Sequence, residues 1–146
     1  MIVACEESPT EPESTLSFQT VVSASHSGIV EQRGEVITSQ ERWAQVWSEI
    51  QAGVGPEEPA RPQIDFARRS VIMAAMGEQQ NGCYAIEVER VRESGGSVQV
   101  TARRSRADAA CACLAFIARP VHVVTIDTPR AHGVVAFTKL ATRPCS

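Results

Sequence analysis

Chemistry in this 146-residue chain would have to run through five cysteines, three histidines and three aspartates. The cysteines stand at Cys5, Cys83, Cys111, Cys113 and Cys145. A Cys-x-Cys pair with His122 is raw material for a metal site, but the spaced Cys-x-x-Cys pairs of structural zinc are missing, so no metal is expected. Setting Cys5 aside leaves four thiols, an even number that suits two disulfides in an oxidising compartment. Four cysteines allow three pairings. Joining Cys111 to Cys113 would close a very tight ring, which leaves two of them open. On an extended strand Cys111 and Cys113 point to one face and can each reach a different partner. Closing the loop from Cys111 to Cys145 would contribute about 3.5–4 kcal/mol by chain entropy.

The remaining candidates for chemistry are scattered. His26 falls in an expected turn, His122 on a strand and His132 in a loop, and Asp65, Asp108 and Asp127 are equally dispersed. No Gly-x-Ser-x-Gly turn, phosphate-cradling glycine loop or His-Glu-x-x-His helix is present. With no local nucleophile-and-base signature, the chain is expected to be non-enzymatic and to need no cofactor; a small hydrolase or metal protein is the third-ranked reading. The net charge of −3 supplies no positive field for phosphate backbones, so nucleic acid is not an expected partner. Arg103, Arg104 and Arg106, with Arg68 and Arg69 elsewhere, read as a solvated strand face paired with Glu87 and Glu89. Few aromatics interleave with them, as a stacking platform would require.

Cys5 ends the tetrapeptide Ile2-Val3-Ala4-Cys5, an aliphatic residue, two small ones and a cysteine. That is the recognition end of a bacterial lipoprotein signal, in which the cysteine carries the lipid. The stretch Glu6 to Thr15 is acidic, rich in Pro and Ser, and has no apolar residue to bury, so it reads as a flexible tether. The basic start and long apolar stretch of such a signal are not in the sequence. No apolar run approaches the roughly 18 residues of a spanning helix, and membrane contact is expected only through a lipid on Cys5. Residues 1–15 are thus assigned to anchor and tether, and 16–146 to one domain.

The elements that must position these residues are mainly strands. With 43% apolar and 21% charged residues the chain can fill one core. Leu16 to Ser23 reads as a strand, Ser25 to Gly28 as a turn and Ile29 to Ile37 as a returning strand. Thr38-Ser39-Gln40-Glu41 reads as a capping box with Thr38 as the cap. Trp43, Val46, Trp47 and Ile50 then make an apolar stripe on a helix over about residues 39–52, stopped at Gly53 and by the proline-rich 55–62. Ser70 to Met76 is apolar enough for a strand buried on both faces, and Tyr84 to Glu89 alternates as a half-exposed one. A two-residue turn would set Val88 opposite Arg103. A three-residue loop, Ser94 to Gly96 with Gly96 at positive φ, sets Val88 opposite Ala102 and Glu87 opposite Arg103, and is expected. Cys111 to Ala118, Val121 to Ile126 and Gly133 to Leu140 complete about eight strands. The expected fold is α+β: one antiparallel β-rich domain with a single helix, as a curled sheet or a small sandwich.

One loop stands out: Gly77-Glu78-Gln79-Gln80-Asn81-Gly82-Cys83-Tyr84, polar, following the most apolar strand and ending at the only tyrosine. It reads either as an ordinary hairpin loop or as a loop offered to a partner. Here the sequence resembles a known family. Ile64-Asp65-Phe66-Ala67-Arg68-Arg69-Ser70-Val71-Ile72, then Met76-Gly77-Glu78, then Asn81-Gly82-Cys83-Tyr84-Ala85-Ile86-Glu87-Val88 is similar to the C-terminal domains of PrcB-type protease-complex proteins. Their pattern is a Val-Asp-Phe segment, a later Gly and a Pro-Thr-Gly-Gly-Tyr-x-Ile-x-Ile loop and strand. Ser27-Gly28-Ile29, Trp43, Trp47, Cys111, Pro120 and Cys145 extend the resemblance over about residues 18–146.

The resemblance implies a secreted or lipid-anchored bacterial accessory protein of the cell envelope that assembles with and stabilises an exported protease. Here Gln79-Gln80-Asn81-Gly82-Cys83 replaces the usual Pro-Thr-Gly-Gly, and the added cysteine implies that Cys83 pairs with Cys113, and Cys111 with Cys145. The contacts expected for the partner protein are Gly77, Asn81, Gly82 and Tyr84, with Asp127 and Arg130 in a second turn. The loop is also similar to the Thr-Gly-Tyr loop of chagasin-type cysteine-protease inhibitors, which makes protease inhibition the alternative reading.

Overall fold

The computed structural model describes residues 13–145. Nine strands and one helix follow in the order β1 (Ser14–Leu16), β2 (Gln19–Ala24), β3 (Arg33–Ile37), α1 (Gln40–Gln51), β4 (Ser70–Ala75), β5 (Tyr84–Ser94), β6 (Ser97–Ala107), β7 (Val121–Ile126), β8 (His132–Phe137) and β9 (Ala141–Arg143). They form two sheets. An inner sheet runs β2-β7-β4-β3 and an outer sheet β1-β5-β6-β8, with β9 also paired to β6. This is the β-rich α+β domain the pattern predicts, in its sandwich form.

The inner sheet is covered on both faces, which explains why every residue of β4 and β7 is buried. Val71, Met73, Ala75, Val121 and Val123 on one face cluster with Trp43, Val46, Trp47 and Ile50 of α1. Ile72, Ala74, Val124 and Ile126 on the other cluster with Ile86, Val88, Val91, Val98, Val100 and Ala102 of the outer sheet. Alternation along a strand thus feeds two cores from one sheet. Both tryptophans also satisfy their indole N–H groups, Trp43 on the carbonyl of Pro62 at 3.0 Å and Trp47 on that of Pro59 at 3.2 Å. The proline-rich connector is thereby strapped over the helix.

Several local expectations are corrected. The helix cap is Ser39, one residue later than Thr38: it is extended (φ −136°, ψ 151°) and its hydroxyl accepts from the amide of Arg42. Arg42, not a glutamate, therefore occupies the third position, so no reciprocal capping box forms. The β5–β6 turn has two residues, Gly95 and Gly96, with φ 58° and 86°, the positive angles a type I′ turn demands at both positions. The foreseen register, Val88 opposite Ala102 and Glu87 opposite Arg103, still holds, because a bulge between Val88 and Arg90 supplies the one-residue shift. The segment expected as the strand Leu16–Ser23 divides at Ser17 and Phe18, where the chain passes from outer to inner sheet, and Ser14 and Thr15 belong to β1 rather than to the tether.

Pairing is not wholly antiparallel: β8 and β9 run parallel to β6. A parallel connection needs a crossover, usually a helix. Here β7 is the crossover, carrying the chain through the inner sheet and back to the end where β6 begins. Finally, Cys111 to Ala118 is no strand. It is an irregular loop whose only ladder contact is an isolated bridge between Ala118 and Gln79.

Candidate functional site

The two ends of the sandwich differ. At one lie the Gly95–Gly96 turn and the Asp127–Arg130 turn. At the other lie Cys83, the loop 108–120 and Cys145. Two disulfides fasten that loop, Cys83–Cys113 and Cys111–Cys145, with Cα separations of 5.3 and 5.4 Å. The pairing is the one the resemblance implies, and it takes all four sulfurs out of metal ligation. Two disulfides are the mark of an oxidising, extracytoplasmic compartment. No helix among the described residues is long and apolar enough to cross a membrane.

Backbone hydrogen bonds add to the covalent hold. Gln79 and Ala118 exchange amide-to-carbonyl bonds at 2.7 and 2.9 Å, Gly82 donates to Leu114 at 3.0 Å, and Arg119 donates to Ser25 at 2.8 Å. The loop starts on an Asx turn, Asp108 accepting from the amide of Ala110 at 2.9 Å. Arg119 then grips Glu78 at 2.7 Å. Phe116 lies over Gly82, where a β-carbon would come within 2.8 Å of its ring, and stacks at 4.6 Å on His26. A side chain at that position would have to push the Phe116 ring aside for the two loops to lie together.

With its backbone so occupied, the loop turns apolar side chains outward. Leu114 is 71% exposed and Ile117 59%, and Val30 and Val54 nearby are 53% and 42% exposed. Val54 and Ile117 share a cavity of about 220 Å³ with His26, Ser27, Gly53 and Arg119. Val30 is tied in by its carbonyl, which accepts from the amide of Glu78 at 2.9 Å. At the same end a cleft of about 410 Å³ is lined by all four bonded cysteines, Leu114 and Arg143. The Arg143 guanidinium donates to the carbonyl of Cys83 at 2.5 Å and to Ser105 Oγ at 3.2 Å, pinning the C-terminal segment under the loop.

The residues expected to touch a partner are separated by the fold. Gly77 is buried against the backbone of Glu31 and Gln32, and Gly82 is covered by Phe116. Asn81 accepts from the amide of Cys83 at 2.9 Å, and Tyr84 packs half-buried against the core between the sheets. Asp127 and Arg130 lie beyond the opposite end of β7, roughly 17 Å away along a six-residue strand. There Ser70 Oγ donates to the carbonyl of Thr128 at 2.6 Å and accepts from the amide of Ala131 at 3.2 Å, Asp127 pairs with Arg69 at 2.9 Å, and Arg130 sits at φ 54°. Cys5 lies outside the described residues.

His122 is committed to structure. Nδ1 accepts from the amide of Val88 in the outer sheet at 2.8 Å, and Nε2 lies 2.9 Å from Thr20 Oγ1. An amide can only donate, so the ring is neutral with its proton on Nε2. Burial pushes its pKa below the ordinary histidine value, with Glu87 acting the other way. Among the described residues no three His, Cys, Asp or Glu side chains gather to hold a metal.

Sequence reasoning missed Leu114, Phe116 and Ile117, and named His26 only as an isolated histidine in a turn. From Leu114 to Ala118 apolar residues occupy both parities, a pattern that reads equally as a strand buried on both faces and so gives no sign of exposure. No family model, no curated protein and no solved structure matches this chain.

Proposed function

We propose that this domain is a non-enzymatic accessory protein of the bacterial envelope, lipid-anchored through Cys5, that binds and stabilises an exported protease through its stapled end. The observation that carries this reading is the placement of exposed apolar surface. Of the six large apolar side chains exposed among the described residues, Val30, Val54, Leu114 and Ile117 gather around this end. Apolar surface held on a doubly cross-linked loop loses little conformational freedom on docking, so it is suited to bind rather than to collapse. The resemblance to PrcB-type domains supplies the identity of the partner class. The inhibitor reading has less support, because Gly82 is covered by Phe116, Asn81 is turned onto the Cys83 amide and Cys83 is tethered by its disulfide.

The test uses purified exported protease from the same bacterium, mixed with the wild-type domain and with Leu114→Ser/Ile117→Ser. A complex is expected with the wild type, together with slower self-degradation of the protease, and affinity at least tenfold weaker for the double variant. Val134→Ser, an exposed apolar residue on the outer sheet, should bind as wild type. Absence of a complex, or equal binding by the double variant, overturns the proposal; loss of protease activity on binding would favour the inhibitor.

A further inference from the structure

The large apolar side chains exposed away from the stapled end are Val134 and Leu140, and both belong to one margin of the outer sheet. β8 is the last strand there. It pairs with β6 on one side, and among the described residues no ladder or bridge covers the other. Its facing is fixed by the bonds at its two ends: the His132 amide donates to the Gly96 carbonyl at 3.1 Å and the Thr138 amide to that of Ala102 at 3.0 Å. Alternation between them turns the amides and carbonyls of Gly133, Val135 and Phe137 away from β6. Beyond these three the edge closes. The Ala131 amide donates to Ser70 Oγ at 3.2 Å, and the Lys139 carbonyl accepts from Thr138 Oγ1 at 3.0 Å.

Every other margin carries something that discourages a further strand. β1 and β9 have only three residues each. β2 is bulged between Thr20 and Val22. β3 carries Arg33 and Glu35, ion-paired with Glu49 and Arg42 of α1. The length of β5 that β1 leaves uncovered has Glu87 and Glu89, a bulge, and a Val88 amide already given to His122. β8 reads His-Gly-Val-Val-Ala-Phe, without carboxylate, lysine, arginine, proline or bulge. A regular, uncharged edge of this kind is a template for another strand.

The open groups also choose the strand. They lie symmetrically about Val135, which is what a two-fold axis requires of a self-complementary edge. Antiparallel pairing of β8 with β8 of another copy sets Val135 opposite Val135 and Gly133 opposite Phe137, each pair exchanging both of its bonds. Gly133 thereby gains an aromatic neighbour across the strand, the partner that best offsets a glycine in a sheet edge. On the solvent face Val134 meets Ala136, a large side chain against a small one. Within residues 131–139 only Lys139 is charged, and it falls opposite Ala131, so no like charges meet. The same lack of charge gives the edge nothing with which to select a foreign sequence. We infer that a second copy of this chain docks along β8 and joins the two outer sheets into one. Since the paired strands run in opposite directions, the stapled ends point away from each other, and Leu114 and Ile117 stay free in both copies.

The test is sedimentation equilibrium of the full chain at high micromolar concentration. Every sample carries Cys5→Ser, because Cys5 is the one cysteine not consumed by a disulfide and could otherwise cross-link two copies. Twice the mass of one chain is expected. Val134→Lys/Ala136→Lys places lysines opposite lysines across the axis and should weaken dimerisation at least tenfold; both side chains are exposed in the single copy, so the fold is not at stake. Val134→Glu/Ala136→Glu should likewise be monomeric, and an equal mixture of the two variants should recover the dimer. In the Cys5→Ser protein, amide exchange should slow with rising concentration at Gly133, Val135 and Phe137, and stay constant at Val134 and Ala136, whose amides already face β6. A monomer at every concentration, a dimer indifferent to the lysines, or a mixture that stays monomeric overturns the inference. So does a dimer abolished by Leu114→Ser/Ile117→Ser, which would place the contact at the stapled end.

Discussion

The helix-backed face of the inner sheet and the stapled loop are both ordered, by opposite means. Around α1, Trp43, Val46 and Ile50 are withdrawn from water, and that withdrawal is the source of order. Side chains used in this way have nothing left to offer a partner. In loop 108–120, order comes from two disulfides, a reciprocal backbone bridge and the Glu78–Arg119 pair, while Leu114 and Ile117 stay in solvent. Cross-links and backbone bonds can release apolar side chains for an interface, which a hydrophobic core cannot. Trp43→Ala tests the first half of the contrast and should cost about 3–5 kcal/mol, with loss of the Pro62 contact, as a large drop in urea midpoint. Leu114→Ala should change the midpoint by no more than about 0.5 kcal/mol. If the two variants lose comparable stability, Leu114 is a core residue and the contrast fails.

The covalent half is broken by the pair Cys83→Ser/Cys113→Ser, which keeps Cys111–Cys145. Opening a closed segment of sequence separation 30 should cost about 2–4 kcal/mol. Its signature should be local. Amide hydrogen exchange should rise severalfold across residues 112–119, including the Gly82 and Ala118 amides, and change little in β4 and β7, where protection comes from burial. Uniformly faster exchange would show that the bond staples the whole sandwich, and unchanged exchange that backbone bonds alone hold the loop.

The same contrast explains what could be read in advance. Elements stabilised by burial announce themselves by periodicity: the Trp43–Ile50 stripe gave α1, and the apolar runs gave β4 and β7 nearly residue for residue. Where order depends on pairing across distance, the pattern misled. Cys111 to Ala118 is apolar enough for a strand, but cross-links at both cysteines and the bridge to Gln79 fix it as a loop. The β5–β6 register was foreseen from which residues must face the core, while its cause was not: the hydrophobic requirement fixes that Val88 meets Ala102, and is indifferent to whether the extra residue sits in the turn or in a bulge. Four thiols left two pairings open, and the choice of Cys83 with Cys113 and Cys111 with Cys145 came from the resemblance alone. The exposed pair Leu114 and Ile117 was not legible, since composition cannot say which apolar residues are left outside.

His122 belongs to neither regime and offers the finest probe of where they meet. It lies on β7 just after Pro120 closes the stapled loop, yet it is buried and joins the two sheets through Val88 and Thr20. Its pKa is lowered in the folded state, so below the unfolded value near 6.5 the unfolded chain takes up the proton more readily. Stability from this group is therefore full above about pH 6.5 and is lost as pH falls through that value. Protonation would also set an Nδ1–H against the Val88 amide, donor facing donor. His122→Gln has no charge to acquire, so although less stable at neutral pH it should lose less stability than the wild type between pH 7.5 and pH 5. The difference between their urea midpoints should narrow across that interval, and the Val88 amide of the wild type should exchange faster at the acid end after correction for intrinsic rate. Parallel pH profiles for the two proteins would mean that the ring is charged in the fold, and the neutral clasp between the sheets would have to be abandoned.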